Sequence, residues 1–131
     1  MKILVGYDSS NESKDALRLA QKHAQELGAK IEVATAINRW DPLKYHKIQE
    51  AQQKLDLEVK EILNGDNVLY ETHLLVSYLS PGDQLKEFAE GNHVDEIIIG
   101  APKRTRVGKL LFGSTTQYIV LNAPCPVVTV N

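Results

Sequence analysis

Apolar residues along the chain follow two periods that take turns, and each change of period marks a change of element. Lys2 to Tyr7 reads as a first strand ending in Asp8-Ser9-Ser10. Ser9 and Glu12 form a capping-box pair, after which Ala16, Leu17, Ala20, Ala24 and Leu27 recur at helical spacing until Gly28 stops the helix. Lys30 to Ile37, with β-branched Ile31, Val33, Thr35 and Ile37, predicts a second strand. The segment from Arg39 to Tyr45 is expected to be irregular, because Pro42 pushes Asp41 out of the helical region. A long helix follows, with Ile48, Ala51, Leu55, Val59 and Ile62 on one face and Gly65 at its end. Val68 to Val76 gives a third strand, and Ser80 caps a helix that starts at Pro81 and turns Leu85, Phe88 and Ala89 inward until Gly91. Val94 to Ile99 suits a strand buried on both faces. Ser114 opens a short helix with Gln117 as its capping-box partner, and Pro126 to Val130 is a final strand.

Five strands alternating with four helices imply α/β architecture: an open five-stranded parallel sheet with helices on both faces. A length of 131 residues fits one domain, 1–131, able to bury roughly two thirds of its unfolded surface. In such a sheet, ligands bind outside the carboxyl ends of the strands where the strand order reverses. The loops after the first and fourth strands are the natural neighbours there.

Charge narrows the field by exclusion. Fifteen Lys and Arg against seventeen Asp and Glu leave a net charge of −2, which gives no general pull toward nucleic acid or an anionic membrane. The opening MKILVGYD enters a strand directly, and no apolar run approaches the roughly 20 residues that span a bilayer, so a cytoplasmic location is expected. Cys125, the single cysteine, stands between two prolines and reads as a buried small apolar residue. The sequence holds no Gly-x-Ser-x-Gly elbow and no His-Glu-x-x-His, and His23, His46, His73 and His93 lie singly. They read as surface or hydrogen-bonded histidines, and no catalytic residue is nominated. Trp40, after the second strand, is a candidate to cover a ligand, to meet a partner or simply to pack.

Candidate chemistry concentrates between Val94 and Thr116. A strand ends at Gly100, a loop carries Lys103, Arg104, Arg106, Gly108 and Lys109, and Gly113-Ser114 opens a helix. That order sets free backbone N–H groups, a helix dipole and cations beside the carboxyl end of a strand, which favours phosphate. Neither a P-loop nor Gly-x-Gly-x-x-Gly is present. The spacing of Gly100, Lys103, Gly113 and Ser114 instead resembles the nucleotide loop of the universal stress protein family, G-x2-G-x9-G-S/T, with Lys103 in place of the second glycine. KILVGYDSS, VDEIIIG and GSTTQYIVLNAPCPVVTV are similar to family landmarks in family order, so the resemblance covers nearly the whole chain.

The resemblance implies a Rossmann-like sheet of order 3-2-1-4-5 and an ATP-binding module of the stress response, with at most slow hydrolysis. Tyr7, Asp8 and Ser9 would then border the ligand, with Asp8 accepting from a ribose hydroxyl or helping to hold magnesium at the phosphates. Ala36 and Ile37 correspond to where the family meets adenine through its main chain. Gly100, Ala101, Gly113, Ser114 and Thr115 would surround the phosphates, with Lys103 and Arg104 near them. Lys103 either neutralises phosphate charge or fills the space a glycine leaves open. In the second case the chain is an interaction protein of the same fold without nucleotide. The short apolar strand PVVTV should lie at a sheet edge, and the resemblance implies a homodimer formed through it.

Overall fold

The computed structural model describes residues 1–64, 67–101 and 112–131. Its elements run β1 (Lys2–Gly6), α1 (Asn11–Leu27), β2 (Lys30–Asn38), α2 (Pro42–Tyr45), α3 (Ile48–Ile62), β3 (Tyr70–Ser77), α4 (Pro81–Gly91), β4 (Glu96–Gly100), α5 (Ser114–Asn122) and β5 (Val127–Val130). All strand pairs are parallel, in the order β3-β2-β1-β4-β5. The open parallel sheet expected from the alternation of periods is therefore present, and so is the strand order implied by the resemblance.

Two apolar layers hold it. Ile3, Val5, Ile31, Val33 and Ile98 face α1 and α3, meeting Ala16, Leu17, Ala20, Leu55 and Val59. Leu4, Ala34, Ile97 and Ile99 face the other way, against Leu85 and Ala89 of α4 and Ile119 of α5. Period-two alternation in the strands thus feeds both layers. Burying each of the fully enclosed Ile, Leu and Val side chains contributes roughly 1.5 to 3 kcal/mol before entropy is set against it.

Three local expectations change. The cap of α1 is Ser10, not Ser9: Ser10 has φ −69° and ψ 159° and accepts from the Ser13 N–H. Ser9 instead has φ 68°, a left-handed backbone unsuited to an N-cap. The segment around Pro42 forms a short helix, because the Asp41 side chain accepts from the Lys44 N–H and Pro42 supplies the fixed φ of a first turn. The cap of α5 is Gly113, with no side-chain cap bond, and Ser114 is the first helical residue. By contrast Ser80 caps α4 as expected, and Gly28 ends α1 at φ 64° with its N–H on the Ala24 carbonyl. Gly65 lies outside the described residues; α3 ends at Ile62 with Leu63 as its cap.

Strand lengths set up the site. β1 pairs with β2 only as far as Gly6 and Ala34, whereas β2 pairs with β3 out to Asn38 and Ser77. The last turn of β2 therefore overhangs the end of β1 and leaves a step at the carboxyl edge of the sheet.

Candidate functional site

A cavity of about 670 Å³ occupies that step. Gly6, Tyr7, Asp8 and Ser9 enter it from β1 and its following loop, Thr35, Ala36 and Ile37 from β2, and Thr115 and Thr116 from α5. Leu43 and Lys44 of α2 and Lys47, Ala51, Lys54 and Leu55 at and along α3 close a further side. The wall is apolar near β2, and on the α2–α3 side Lys44, Lys47 and Lys54 outnumber Glu50, which suits a flat ring carrying anionic groups.

The backbone at the overhang is specific. The Ala34 carbonyl accepts from the Tyr7 N–H at 2.9 Å and so points toward β1. Strand alternation turns the N–H and C=O of Ala36 to that same side, beyond the last β1 pair. Ile37 differs, because its carbonyl accepts from the Gln84 side chain at 3.0 Å. Of the two residues expected to offer main-chain contacts, Ala36 is thus the one whose polar groups face the step.

At the end of β1 the polar side chains are tied together. Glu58 of α3 accepts from the Tyr7 hydroxyl at 2.8 Å and from the Ser9 hydroxyl at 2.6 Å. The second bond fixes Ser9 in its left-handed conformation. Burial, and then the Glu58 carboxylate that accepts its hydrogen bond, push the Tyr7 phenol well above its ordinary value. Burial pushes Glu58 up, but the hydroxyls of Ser9 and Tyr7 and the charges of Lys54 and Lys14 outweigh it, leaving the carboxyl below its ordinary range. Asp8 behaves alike: burial raises it, and hydrogen bonds from Ser10 and Ser13 bring it below the usual value. Asp8, exposed to solvent, is therefore a charged acceptor lining the cavity.

Gly100 and Gly113 differ in what they are for. A Cβ on Gly100 would lie 2.8 Å from the Glu12 carbonyl carbon and 3.0 Å from the Ser13 nitrogen. Its glycine is demanded by the first turn of α1. Gly113 meets no described atom within 4 Å of an added Cβ and has φ −62°, so neither crowding nor positive φ requires glycine there.

Of the residues nominated from the sequence, the structure brings Tyr7, Asp8, Ser9, Ala36, Ile37 and Thr115 to one cavity. Gly100, Ala101, Gly113 and Ser114 are not among its lining residues; Ala101 donates its N–H to the Val130 carbonyl at 2.5 Å. Lys103, Arg104, Arg106, Gly108 and Lys109 lie outside the described residues. Trp40 is exposed, with its ring 5.0 Å from that of Tyr78, and does not line the cavity. Cys125 is only half-buried, at the fringe of the α4–α5 layer. Sequence reading missed Glu58, Lys47, Lys54, Gln84 and Thr116, whose hydroxyl donates to the Gly100 carbonyl at 3.0 Å. Thr116 sat beside two nominated residues, but nothing in the periodicity of α3 distinguished Glu58 from the other charges on its polar face.

The chain matches the model of the universal stress protein family over residues 1–131. A universal stress protein from Thermus aquaticus is 32% identical over 133 residues, covering 98% of this chain and 96% of the relative. A solved universal stress protein from Archaeoglobus fulgidus superposes with a TM-score of 0.87 at 31% identity, covering 100% of this chain and 98% of that one. A universal stress protein from the same organism, solved in complex with dAMP, gives 0.78 at 26% identity over 100% and 98% of the two chains.

Proposed function

The chain belongs to the universal stress protein family, and from that premise we propose that it is an ATP-binding regulatory module of the stress response, taking nucleotide into the cavity beside β1 and β2. The carrying observation is the N–H and C=O of Ala36 at the overhang, which meet no backbone partner among the described residues, in a cavity that the charged Asp8 also lines. Adenine offers one donor and one acceptor on its Watson–Crick edge, which that backbone pair complements. The dAMP bound by the Archaeoglobus fulgidus neighbour supports an adenine ligand. Asp8 then accepts from the ribose or helps to hold magnesium at the phosphates. Phosphates extend toward Gly113, Ser114 and Thr115 at the start of α5, with Gly100 and Ala101 at the end of β4; Lys103 and Arg104 enter this reading through the family resemblance alone, since they lie outside the described residues.

ATP with magnesium should raise the melting temperature, since a ligand of the folded state alone stabilises it by linkage. Calorimetry should show heat for ATP and for AMP. No thermal shift and no heat at millimolar ATP would leave the interaction protein without nucleotide as the better reading. A homodimer belongs to the same proposal: among the described strands β5 pairs with β4 alone, which leaves its other edge able to take a second copy of the chain. Light scattering should give twice the chain mass at micromolar concentration. Among the described residues no helix is long and apolar enough to cross a membrane.

A further inference from the structure

The amino-terminal edge of the sheet carries a second polar cluster, which nucleotide binding does not use. Glu32 of β2 and Glu71 of β3 are register partners, and so are Ala34 and His73. Strand alternation therefore sets Glu32, Glu71 and His73 on one face of adjacent strands. Glu32 is only 4% exposed at its side chain; its Oε2 lies 2.5 Å from His73 Nε2 and its Oε1 lies 3.1 Å from Lys30 Nζ. Glu71 Oε1 is 2.9 Å from the same ammonium, and its Oε2 is 3.8 Å from His73 Nε2. One donor atom from each of the three residues falls within 4.8 Å of the others.

We propose that Glu32, Glu71 and His73 form a binding site for a divalent first-row transition cation, zinc above all, and that Lys30 is the internal cation holding the carboxylates when no metal is bound. Residues two apart on one strand, with a third on its neighbour, converge three donors from a rigid scaffold rather than from loops. Two carboxylates and a neutral imidazole balance the charge of one divalent ion. One nitrogen and two oxygens suit zinc, cobalt or manganese better than a soft cation. Three protein ligands leave a fourth position for water. The ring of Phe88, 4.7 Å from that of His73, flanks the imidazole that presents Nε2 to Glu32. Glu71, 59% exposed, opens the site to solvent. Binding requires the Glu32 and His73 atoms to part to roughly 3.3 Å, the edge of a zinc tetrahedron, and Lys30 to swing outward on its flexible stem.

The test uses the full chain titrated with cobalt, followed by visible absorption, and with zinc, followed by calorimetry. One equivalent should bind, with a cobalt d–d band of tetrahedral or five-coordinate intensity. His73→Ala and Glu71→Gln should each weaken binding by at least about tenfold. Glu71→Gln alters an exposed side chain and keeps the test decisive if His73→Ala does not fold. Lys30→Gln should tighten binding, because it removes the competing ammonium. Affinity should fall as pH is lowered, since the imidazole must be neutral to ligate. No band and no heat with metal in large excess over protein would overturn the proposal. So would binding unchanged by Glu71→Gln and His73→Ala, which would place the metal at His23, His46 or His93, or Lys30→Gln binding more weakly than wild type.

Discussion

The two edges of the sheet use similar side chains to opposite ends. At the carboxyl edge, Asp8, Lys47, Glu50 and Lys54 line a cavity of about 670 Å³. At the amino edge, Lys30, Glu32, Glu71 and His73 close on one another in a chain of ion pairs. The difference comes from strand length. β2 and β3 outrun β1 by four residues at one end, and the backbone left unpaired there opens a step. At the other end, β2 starts level with β1, and the side chains of neighbouring strands have only one another. A charged side chain therefore faces open space at one edge and is held by its neighbours at the other. Substitutions at the carboxyl edge should change nucleotide binding more than stability, and those at the amino edge should change stability more than nucleotide binding.

The largest effect should come where that contrast breaks. Gly100 lies at the carboxyl edge, yet its missing Cβ makes room for the α1 backbone at 2.8 Å. Gly100→Val should cost about 3 kcal/mol or more, because backbone cannot swing aside as a side chain does. Gly113→Ala, where an added Cβ meets no described atom within 4 Å at the α5 cap, should cost less than about 1 kcal/mol. Urea unfolding of the two variants measures both, and equal midpoints would show that the crowding at Gly100 is relieved by a shift of α1.

Glu32→Ala comes next and tests the amino edge. Removing one partner of a fully buried pair costs about 3 to 5 kcal/mol, but Lys30 and His73 are 30% and 25% exposed and regain water, so about 2 kcal/mol is expected. Nucleotide affinity should not change. A tenfold loss of ATP binding with stability intact would mean that the two edges are coupled.

At the carboxyl edge, Lys47 and Lys54 line the cavity from α3. Their joint replacement by Gln should weaken ATP about tenfold, near 1.4 kcal/mol for two partly solvated charge contacts, while adenosine binding stays within about twofold. Stability should move by less than about 0.5 kcal/mol, as for surface substitutions. Calorimetry with both ligands at two salt concentrations separates these outcomes. Equal losses for adenosine and ATP would place the lysines beside the base instead of the phosphates.

Much of this arrangement was legible in the sequence because apolar periodicity reports burial. Isoleucines 97 to 99 had to be a strand covered on both faces, and Leu55 and Val59 had to face a core. The ends of strands were also readable, which brought Asp8 and Ser9 to the crevice, whereas Ala36 and Ile37 were nominated through the family resemblance. What periodicity does not encode is which residues on polar faces meet. Glu58 reaches Ser9 across 49 positions and Glu32 reaches His73 across 41, and neither pair has a local signature. The capping box at Ser9 misled for a related reason, because the Ser9 hydroxyl is taken by Glu58 while Ser10 caps the helix.

The smallest effect is a change in pH dependence that assigns the Tyr7–Glu58 bond to the carboxyl edge. Glu58 titrates lower in the folded chain than unfolded, so its contribution is present above about pH 4.3, the ordinary glutamate value, and is lost as pH falls through the folded value. Tyr7 titrates higher when folded, so its contribution is complete below about pH 10 and is lost as pH rises through the folded value. Tyr7→Phe removes one donor to Glu58 and the phenol itself. It should cost about 1 kcal/mol at neutral pH, flatten the acid limb slightly and remove its own share of the alkaline limb. Tyr118, raised by its bond to Asp83, retains a separate alkaline share in both proteins, so the difference between them isolates Tyr7. Melting temperatures from pH 3 to 11, spanning the ordinary carboxyl and phenol values, supply the measurement. Parallel curves for the two proteins would show that the Tyr7 hydroxyl finds equal partners in the unfolded chain.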